Sequence, residues 1–511
     1  MKPQVTNYEV PKKSWWRKLF TVKSIDQLQA DAEESILRRS LNFVDLTAIG
    51  IGAIIGTGIF VLTGIAAAKN AGPAVVLSFV VSGIAAGTAA VSYSEMACML
   101  PVAGSAYTYT YATMGELVGW IIGWDLILEY LVGAATVSVG WSGYFKSFFK
   151  SAFGLNMSAK WTEAPFLFDT KTQSFHISGN ILNIPAIVIS LAITALLCFG
   201  VRESARLNTV IVIVKILVIL LFVFACIKDV DPKNYTPFFP PNEGNFNQFG
   251  VSGMFSAATT VFFSYIGFDA ISTAAQESKN PQRDLPIGIC GSLLICTVLY
   301  IAVCFIMTGV VPYTELNVPA PISVVIAHTG MSWLGVIVDF GALIGLTSVI
   351  LVLLLGQPRI FYAMARDGLF PAVAAKIHPR FKTPWVTTLV SGTACAVLGG
   401  ILPVDVLGEM TSVGTLFAFV LVNIGVIILR FKRPDLPRKF KVPLGPFVIP
   451  VIGAALAILL ICTATVSTII RLFVWMGIGL LIYFLYGRTH SKINNPHLNP
   501  GVHEHSDKED I

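Results

Sequence analysis

The sequence predicts an all-α polytopic membrane protein of about twelve transmembrane helices, and three observations predict it. Only 13% of the 511 residues are charged, roughly half the ~25% of an ordinary soluble domain, so much of the surface must face something other than water. Hydrophobic residues make up 55% of the chain, and the mean hydropathy is +0.74. Apolar stretches of about twenty residues recur along the sequence, each long enough to cross a hydrocarbon core of about 30 Å at about 1.5 Å per residue.

In chain order, residues 1–40 are polar and hold Lys12, Lys13, Arg17, Lys18, Arg38 and Arg39. They contain no apolar core of the kind a secretory signal needs, and are expected to form a cytoplasmic segment. The transmembrane region, 41–490, carries spans at 42–67, 73–100, 117–149, 181–201, 206–228, 250–276, 286–311, 331–357, 384–403, 405–429, 446–469 and 471–487. Arg471 alone divides the last two. Residues 491–511 are polar and read as a disordered cytoplasmic tail.

Charge sets the orientation. With the N-terminus inside, twelve alternating spans place 26 Lys and Arg on the inner side and 8 on the outer, with Lys215 left within a span. The positive-inside rule favours that arrangement, with both termini cytoplasmic in a cell membrane. Lys150, Lys160 and Lys171, in the outer segment 150–180, run against it. The net charge of +6 follows from this distribution and calls for no nucleic acid. The eight cysteines fall in apolar segments without ligand spacing and read as small buried hydrophobes. No nucleophile–base pair, metal set or Walker A pattern appears, so neither an enzyme nor an ATP-driven pump is expected, and no cofactor.

Two spans are poor continuous helices. The first reads Gly50-x-Gly52-x-x-x-Gly56-x-Gly58, and each glycine costs about 1 kcal/mol against alanine in a helix interior. The sixth reads Phe262-Phe263-Ser264-Tyr265-Ile266-Gly267-Phe268-Asp269, a glycine followed closely by a carboxylate. Gly52 and Gly56 also have small-xxx-small spacing, which serves close helix packing. The pairing favours unwinding, because spans one and six are corresponding members of two five-span halves, where inverted-repeat transporters place broken helices. A half-helix N-terminus offers free N–H groups to a carboxylate, and unwound carbonyls offer acceptors to an ammonium. A zwitterion needs both. The glycine spacing misses the dinucleotide fingerprint by one residue, and no βαβ unit surrounds it.

Lys215 lies roughly 13 Å and 19 Å along its helix from Arg206 and Lys228, too deep to snorkel comfortably. It reads either as the coupling residue of a proton-linked carrier or as a permanently charged lysine clamping unwound carbonyls. Asp125 and Glu129, four apart, share a helix face. Glu129 is the deeper and reads as a cavity residue, Asp125 as a contact between spans. Asp269 is placed to face substrate or gate. Glu95 and Asp339 read as structural polar contacts.

These residues resemble a known family. Gly50-Ile-Gly52-Ala-Ile-Ile-Gly56-Thr-Gly58-Ile-Phe60 looks like the first-span signature of the amino acid–polyamine–organocation (APC) superfamily. Tyr93-Ser-Glu95-Met-Ala-Cys-Met-Leu-Pro101-Val-Ala-Gly104-Ser-Ala-Tyr107 resembles its second-to-third-span motif. Residues 262–269, continuing to Glu277-Ser-Lys-Asn-Pro281-Gln-Arg-Asp-Leu-Pro286, are similar to the cationic amino acid transporter branch. Gln357-Pro-Arg359 and Arg366-Asp-Gly-Leu-Phe-Pro371 match a further family motif.

The resemblance implies the LeuT-type fold, two inverted five-span repeats plus two helices, and alternating access around one amino acid. It implies that the substrate carboxylate meets Thr57 and the Gly58 amide, beside Gly56, and that its ammonium meets carbonyls of Ile54, Phe263, Ser264 and Ile266. Lys215 falls where proton-coupled relatives carry lysine in place of a sodium site, and Glu129 and Asp269 match acidic positions near the side-chain end. The sequence has Gln276-Glu277 where the family motif often has consecutive acids, and relatives with nearly all these motifs prefer neutral amino acids. The expectation is proton-coupled uptake of cationic and/or broad-range neutral amino acids. An exchanger without proton coupling and a non-transporting amino acid receptor are the alternatives. The expected partners are the amino acid, the proton and the lipid bilayer; a small accessory membrane subunit is left open.

Overall fold

The computed structural model describes residues 15–24, 41–99, 105–169, 174–200, 205–381, 383–436 and 438–495. Lys12, Lys13, Arg38, Arg39, the Pro101–Gly104 part of the second motif, Lys171 and the tail beyond 495 lie outside them.

The described residues form a helical bundle with twelve apolar passes where the sequence predicts them. Eight helical stretches are long and apolar enough to cross a membrane, and four are shorter: Phe43–Ile54, Ile184–Cys198, Trp385–Ile401 and Val448–Thr463. The stretch Gly58–Met99 holds two passes. One is the second half of span 1, to which Phe43–Ile54 supplies the first half, and the other is span 2 (Val75–Met99). The chain is a multi-pass membrane protein.

The helix starts are written in the sequence. The Asn42 side chain accepts hydrogen bonds from the N–H groups of Val44 and Asp45, and Asp45 accepts from the Asn42 N–H, so span 1 begins in a capping box. Asn183 caps span 4 (Ile184–Cys198) by accepting from Ala186 N–H. Span 7 (Pro281–Val310) starts on a proline, whose missing N–H costs nothing there.

One boundary differs from the sequence reading. Spans 11 and 12 part at Ala464–Thr465, not at Arg471, because the Thr465 hydroxyl accepts from the Thr468 N–H and caps span 12 (Val466–Ile482). Arg471 continues that helix. Its guanidinium lies 4.7 Å from the ring centre of Phe168 and 5.3 Å from that of Phe175. Those rings belong to an antiparallel hairpin, β1 (Phe166–Asp169) and β2 (Ser174–Ile177), in the long connection between spans 3 (Glu116–Phe153) and 4. The aromatic faces supply what an arginine inside an apolar helix requires.

The end of the bundle that carries both termini is tied by polar contacts. Glu95, fully buried in span 2, pairs with Arg430 at 2.5 Å and Arg438 at 3.5 Å and accepts from the Val442 N–H. Glu116, at the start of span 3, accepts from Tyr111, Tyr483, Ser491 and Asn494. Ser491 is buried there, so the packed chain continues past residue 490. Asp367 takes Lys23 at 2.9 Å and the Tyr107 hydroxyl at 2.7 Å. Asp339, nearer the other end, accepts from Ser147, Ser151 and Ser323.

Candidate functional site

Span 1 is broken. Its first half ends at Ile54, Ile55 is extended (φ −72°, ψ 98°), and helix resumes at Thr57. Span 6 is broken as well: Gly250–Val261 tightens through Phe262–Tyr265, Ile266 is extended, and Ala270–Thr273 follows. Gly267 takes φ +111°, a conformation open to glycine and strained for other residues.

The two breaks press together. A methyl group on Gly58 would collide with the Ser264 backbone, and one on Gly267 would meet Ala53 at 3.0–3.1 Å. Each break therefore presents bare main chain to the other. The N–H groups opening the second half of span 1 have no partners within their own helix. They add the partial positive charge of a helix N-terminus.

The predicted side chains gather around this point. The Thr57 and Ser264 hydroxyls are buried and without a partner among the described residues, as are Glu129 Oε2 and Asp125 Oδ1. Buried polar atoms are ordinarily paired, so the Thr57 and Ser264 hydroxyls, one at each break, leave hydrogen-bonding capacity there unused. Glu129 sits in a π-helical turn, Leu128–Val132, of the kind often found at functional sites. Its carboxyl is within hydrogen-bonding reach of Asp269 and Thr415. Asp269, just past the second break, accepts from the Tyr130 hydroxyl at 2.8 Å.

The predicted carbonyls are partly engaged. That of Phe263 accepts the Ile266 N–H at 3.2 Å. Those of Ile54 and Ser264 both lie 2.8 Å from the hydroxyl of Tyr300 on span 7. Sequence reasoning missed Tyr300, since a tyrosine in an apolar run looks like core.

Lys215 is fully buried. Its Nζ donates to the carbonyls of Gly52 at 2.7 Å and Ile55 at 3.0 Å, the frayed C-terminal end of the first half-helix. Its aliphatic stem packs against Gly345 of span 8 (Ser332–Arg366). A cation there opposes the negative end of the helix dipole.

Between the breaks lies a hollow of about 10 Å³, about what one water molecule needs. Ala53, Ile54, Gly56, Glu129, Gly133, Val137, Phe263, Ile266, Val349 and Leu353 line it. Beyond it, at the end away from the termini, opens a vestibule of about 790 Å³, whose walls include Val61 and Gly140. A methyl on Gly140 would touch the Thr57 side chain, so the vestibule reaches the residues that flank the first break.

Paired interrupted helices, orphaned hydroxyls and a buried lysine inside a bundle of apolar spans agree with what residues 41–485 match, the amino acid permease family. The chain belongs to that family. It is an APC-superfamily permease, a transporter and not an enzyme. It is 50% identical to the branched-chain amino acid permease BcaP of Bacillus subtilis (strain 168), over 93% of this chain and 99% of the relative. It is 43% identical to a methylthioribose transporter of the same organism, over 93% and 99% of the two chains. Against the Arabidopsis thaliana protein named cationic amino acid transporter 2, vacuolar, identity is 39% over 82% of this permease and 64% of the relative.

Proposed function

We propose that this permease takes up neutral amino acids with branched aliphatic side chains, coupled to proton entry, by alternating access around the two breaks. The observation that carries the proposal is the pair of buried, unpartnered hydroxyls of Thr57 and Ser264 between bare main chain. A substrate carboxylate placed on Thr57 and the Gly56–Gly58 amides has donors there. An ammonium placed by Ile54, Phe263, Ser264 and Ile266 has acceptors. The side chain then faces Val137, Val349 and Leu353, whose apolar walls suit a branched hydrocarbon. The 50% identical relative named for branched-chain amino acids supports the same choice.

A second reading takes cationic amino acids. The unpartnered oxygen of Glu129 near Asp269 favours it, as does the resemblance to proteins named cationic amino acid transporters. Thermal shifts of the purified protein against all twenty amino acids separate the two. Shifts by leucine, isoleucine and valine support the first reading; shifts confined to arginine and lysine replace it with the second.

Lys215 is the proposed coupling residue, losing and regaining its proton as the carbonyls of Gly52 and Ile55 separate from it and return. The same two hydrogen bonds fit a permanently charged clamp, which would make the protein an exchanger. In proteoliposomes, Lys215→Met is expected to abolish accumulation driven by a pH gradient while sparing exchange of internal for external substrate. Undiminished gradient-driven accumulation rejects the coupling role. The excess of Lys and Arg at the end with both termini supports a cytoplasmic placement of that end in a plasma membrane. The vestibule would then open outward. Residues 41–490 are proposed as the transport domain, between a cytoplasmic N-terminal segment and a C-terminal segment whose first residues, Ser491 and Asn494, pack on it through Glu116.

A further inference from the structure

The Tyr300 hydroxyl is the one side-chain group shown bonded to both breaks among the described residues. It lies 2.8 Å from the Ile54 carbonyl, the last of the first half-helix, and 2.8 Å from the Ser264 carbonyl before the second break. The residue is fully buried. Its ring is fixed against Phe79, with centroids 5.6 Å apart, and Tyr265, 5.5 Å apart. A phenol carries one proton. Two carbonyl oxygens at equal distance therefore compete for a single donor, and at any instant one of them faces the phenol oxygen without a hydrogen between. Such an acceptor, buried and short of a donor, is costly to leave unserved.

We infer that Tyr300 is a positioning residue for substrate. It holds the Ile54 and Ser264 carbonyls at one spacing, and the donor it cannot supply is supplied by the ammonium of an arriving amino acid. The inference rests on the reading of the breaks as the amino acid site. It goes further in assigning recognition of the amine, as distinct from the carboxylate, to a residue on span 7. Arrival of the ammonium completes the hydrogen bonding of both breaks together, so amine binding favours the conformation in which spans 1 and 6 are joined. An acid without an amine gives the carbonyls no donor and forgoes that gain.

The test is inhibition of leucine counterflow in proteoliposomes by unlabelled leucine and by 4-methylpentanoate, which lacks only the amine. In Tyr300→Phe the inhibition constant for leucine is expected to rise about tenfold or more, as the ammonium's bonds to the Ile54 and Ser264 carbonyls lose the alignment that the phenol fixes. That for 4-methylpentanoate should stay within about twofold. Tyr235→Phe, whose hydroxyl donates to Phe305 of span 7 at 2.7 Å near the vestibule end, is expected to leave the ratio of the two constants unchanged. An unchanged leucine constant in Tyr300→Phe, or equal losses for both compounds, overturns the role. If Tyr300→Phe does not fold, N-methylleucine and N,N-dimethylleucine on the unaltered protein decide instead. Affinity falling with each N–H removed supports the inference, and a flat series overturns it. Failure of the site reading looks different: the unaltered protein would then respond to no amino acid, before any variant is made, and this inference would fall with it.

Discussion

The two ends of the bundle are built differently. At the end with the termini, carboxylates close the gaps between spans: the fully buried Glu95 holds Arg430 and Arg438, the buried Glu116 gathers four donors from three parts of the chain, and the partly exposed Asp367 ties Lys23 to Tyr107. At the other end the spans part around a vestibule of about 790 Å³. There spans 1 and 10 are bridged by a partly exposed ion pair, Lys69–Asp405 at 2.6 Å. The difference teaches which state the structure represents and where the resistance to leaving it resides. To open the terminal end, a transporter must strip the buried carboxylates of Glu95 and Glu116 of their partners. To close the vestibule it has only to move helices through water.

The largest effect expected from this contrast is at Glu95. Removing one member of a fully buried ion pair costs about 3–5 kcal/mol. Arg430 keeps 17% of its side chain exposed and Arg438 keeps four backbone carbonyls, so the cost here lies at the low end, about 3 kcal/mol. Glu95→Gln is therefore expected to lower thermal stability by that amount and to loosen the terminal end. Cys98, one turn further along span 2 and 3.4 Å from the Gln282 carbonyl, reports the loosening. Its labelling by a membrane-permeant maleimide should quicken in the variant. Unchanged labelling together with unchanged stability would mean that the cluster does not hold this end shut.

Next in size is the contact at the breaks. Gly58→Ala drives a methyl into the Ser264 backbone, and overpacking of this kind costs about 1–3 kcal/mol. Since the strain falls between the halves that must move, uptake should drop by about tenfold or more for the same cost. Gly477→Ala, where an added methyl meets nothing within 4 Å, should change neither uptake nor stability. Equal uptake by both variants would show that the approach of span 1 to span 6 is not required.

This same contact marks how far the sequence could be read. The breaks were legible because glycine and a nearby polar residue are conspicuous inside twenty apolar positions, and only a ligand or a cavity makes such backbone tolerable in lipid. Thr57, Ser264, Glu129, Asp269 and Lys215 come together because each lies within a few residues of a break or deep in a span that packs on one. The capping residue Asn42 was equally local. What escaped was information carried by pairs far apart in the chain. Glu95 and Arg430 are separated by 335 residues, so the partner of a buried glutamate could not be named, although its structural role could. Tyr300 was silent for a related reason, since its ring suits an apolar span and only the carbonyls opposite reveal the hydroxyl's use. The end of span 11 was misplaced because a charge inside an apolar run attracts attention, whereas the cap at Thr465 works through one hydroxyl.

A smaller effect on stability, with a clear one on function, is expected at Thr57. Its hydroxyl has no partner among the described residues, so Thr57→Val removes no internal hydrogen bond and, by replacing a buried unpaired hydroxyl with a methyl, should leave stability unchanged or raise it by about 1 kcal/mol. Substrate affinity should fall by roughly tenfold, the worth of a hydrogen bond to a charged group. The pattern is the reverse of that at Glu95. Binding that survives Thr57→Val unchanged would move the carboxylate away from the start of the second half-helix.

The smallest effect is expected at the open end. Lys69 and Asp405 retain 26% and 15% side-chain exposure, and a pair of this kind contributes about 0–1 kcal/mol. Lys69→Met should leave thermal stability nearly unchanged. It does alter the field at the vestibule, whose walls also carry Glu163, Asp169 and Glu243. Without the lysine the mouth becomes more negative, so arginine and lysine should inhibit leucine uptake more strongly in the variant at low ionic strength. At about 0.15 M salt, where charges are screened over roughly 8 Å, most of that gain should vanish. A gain that persists in high salt would mean that Lys69 acts by direct contact with substrate and not through the field, and would give the vestibule a part in recognition that its exposure argues against.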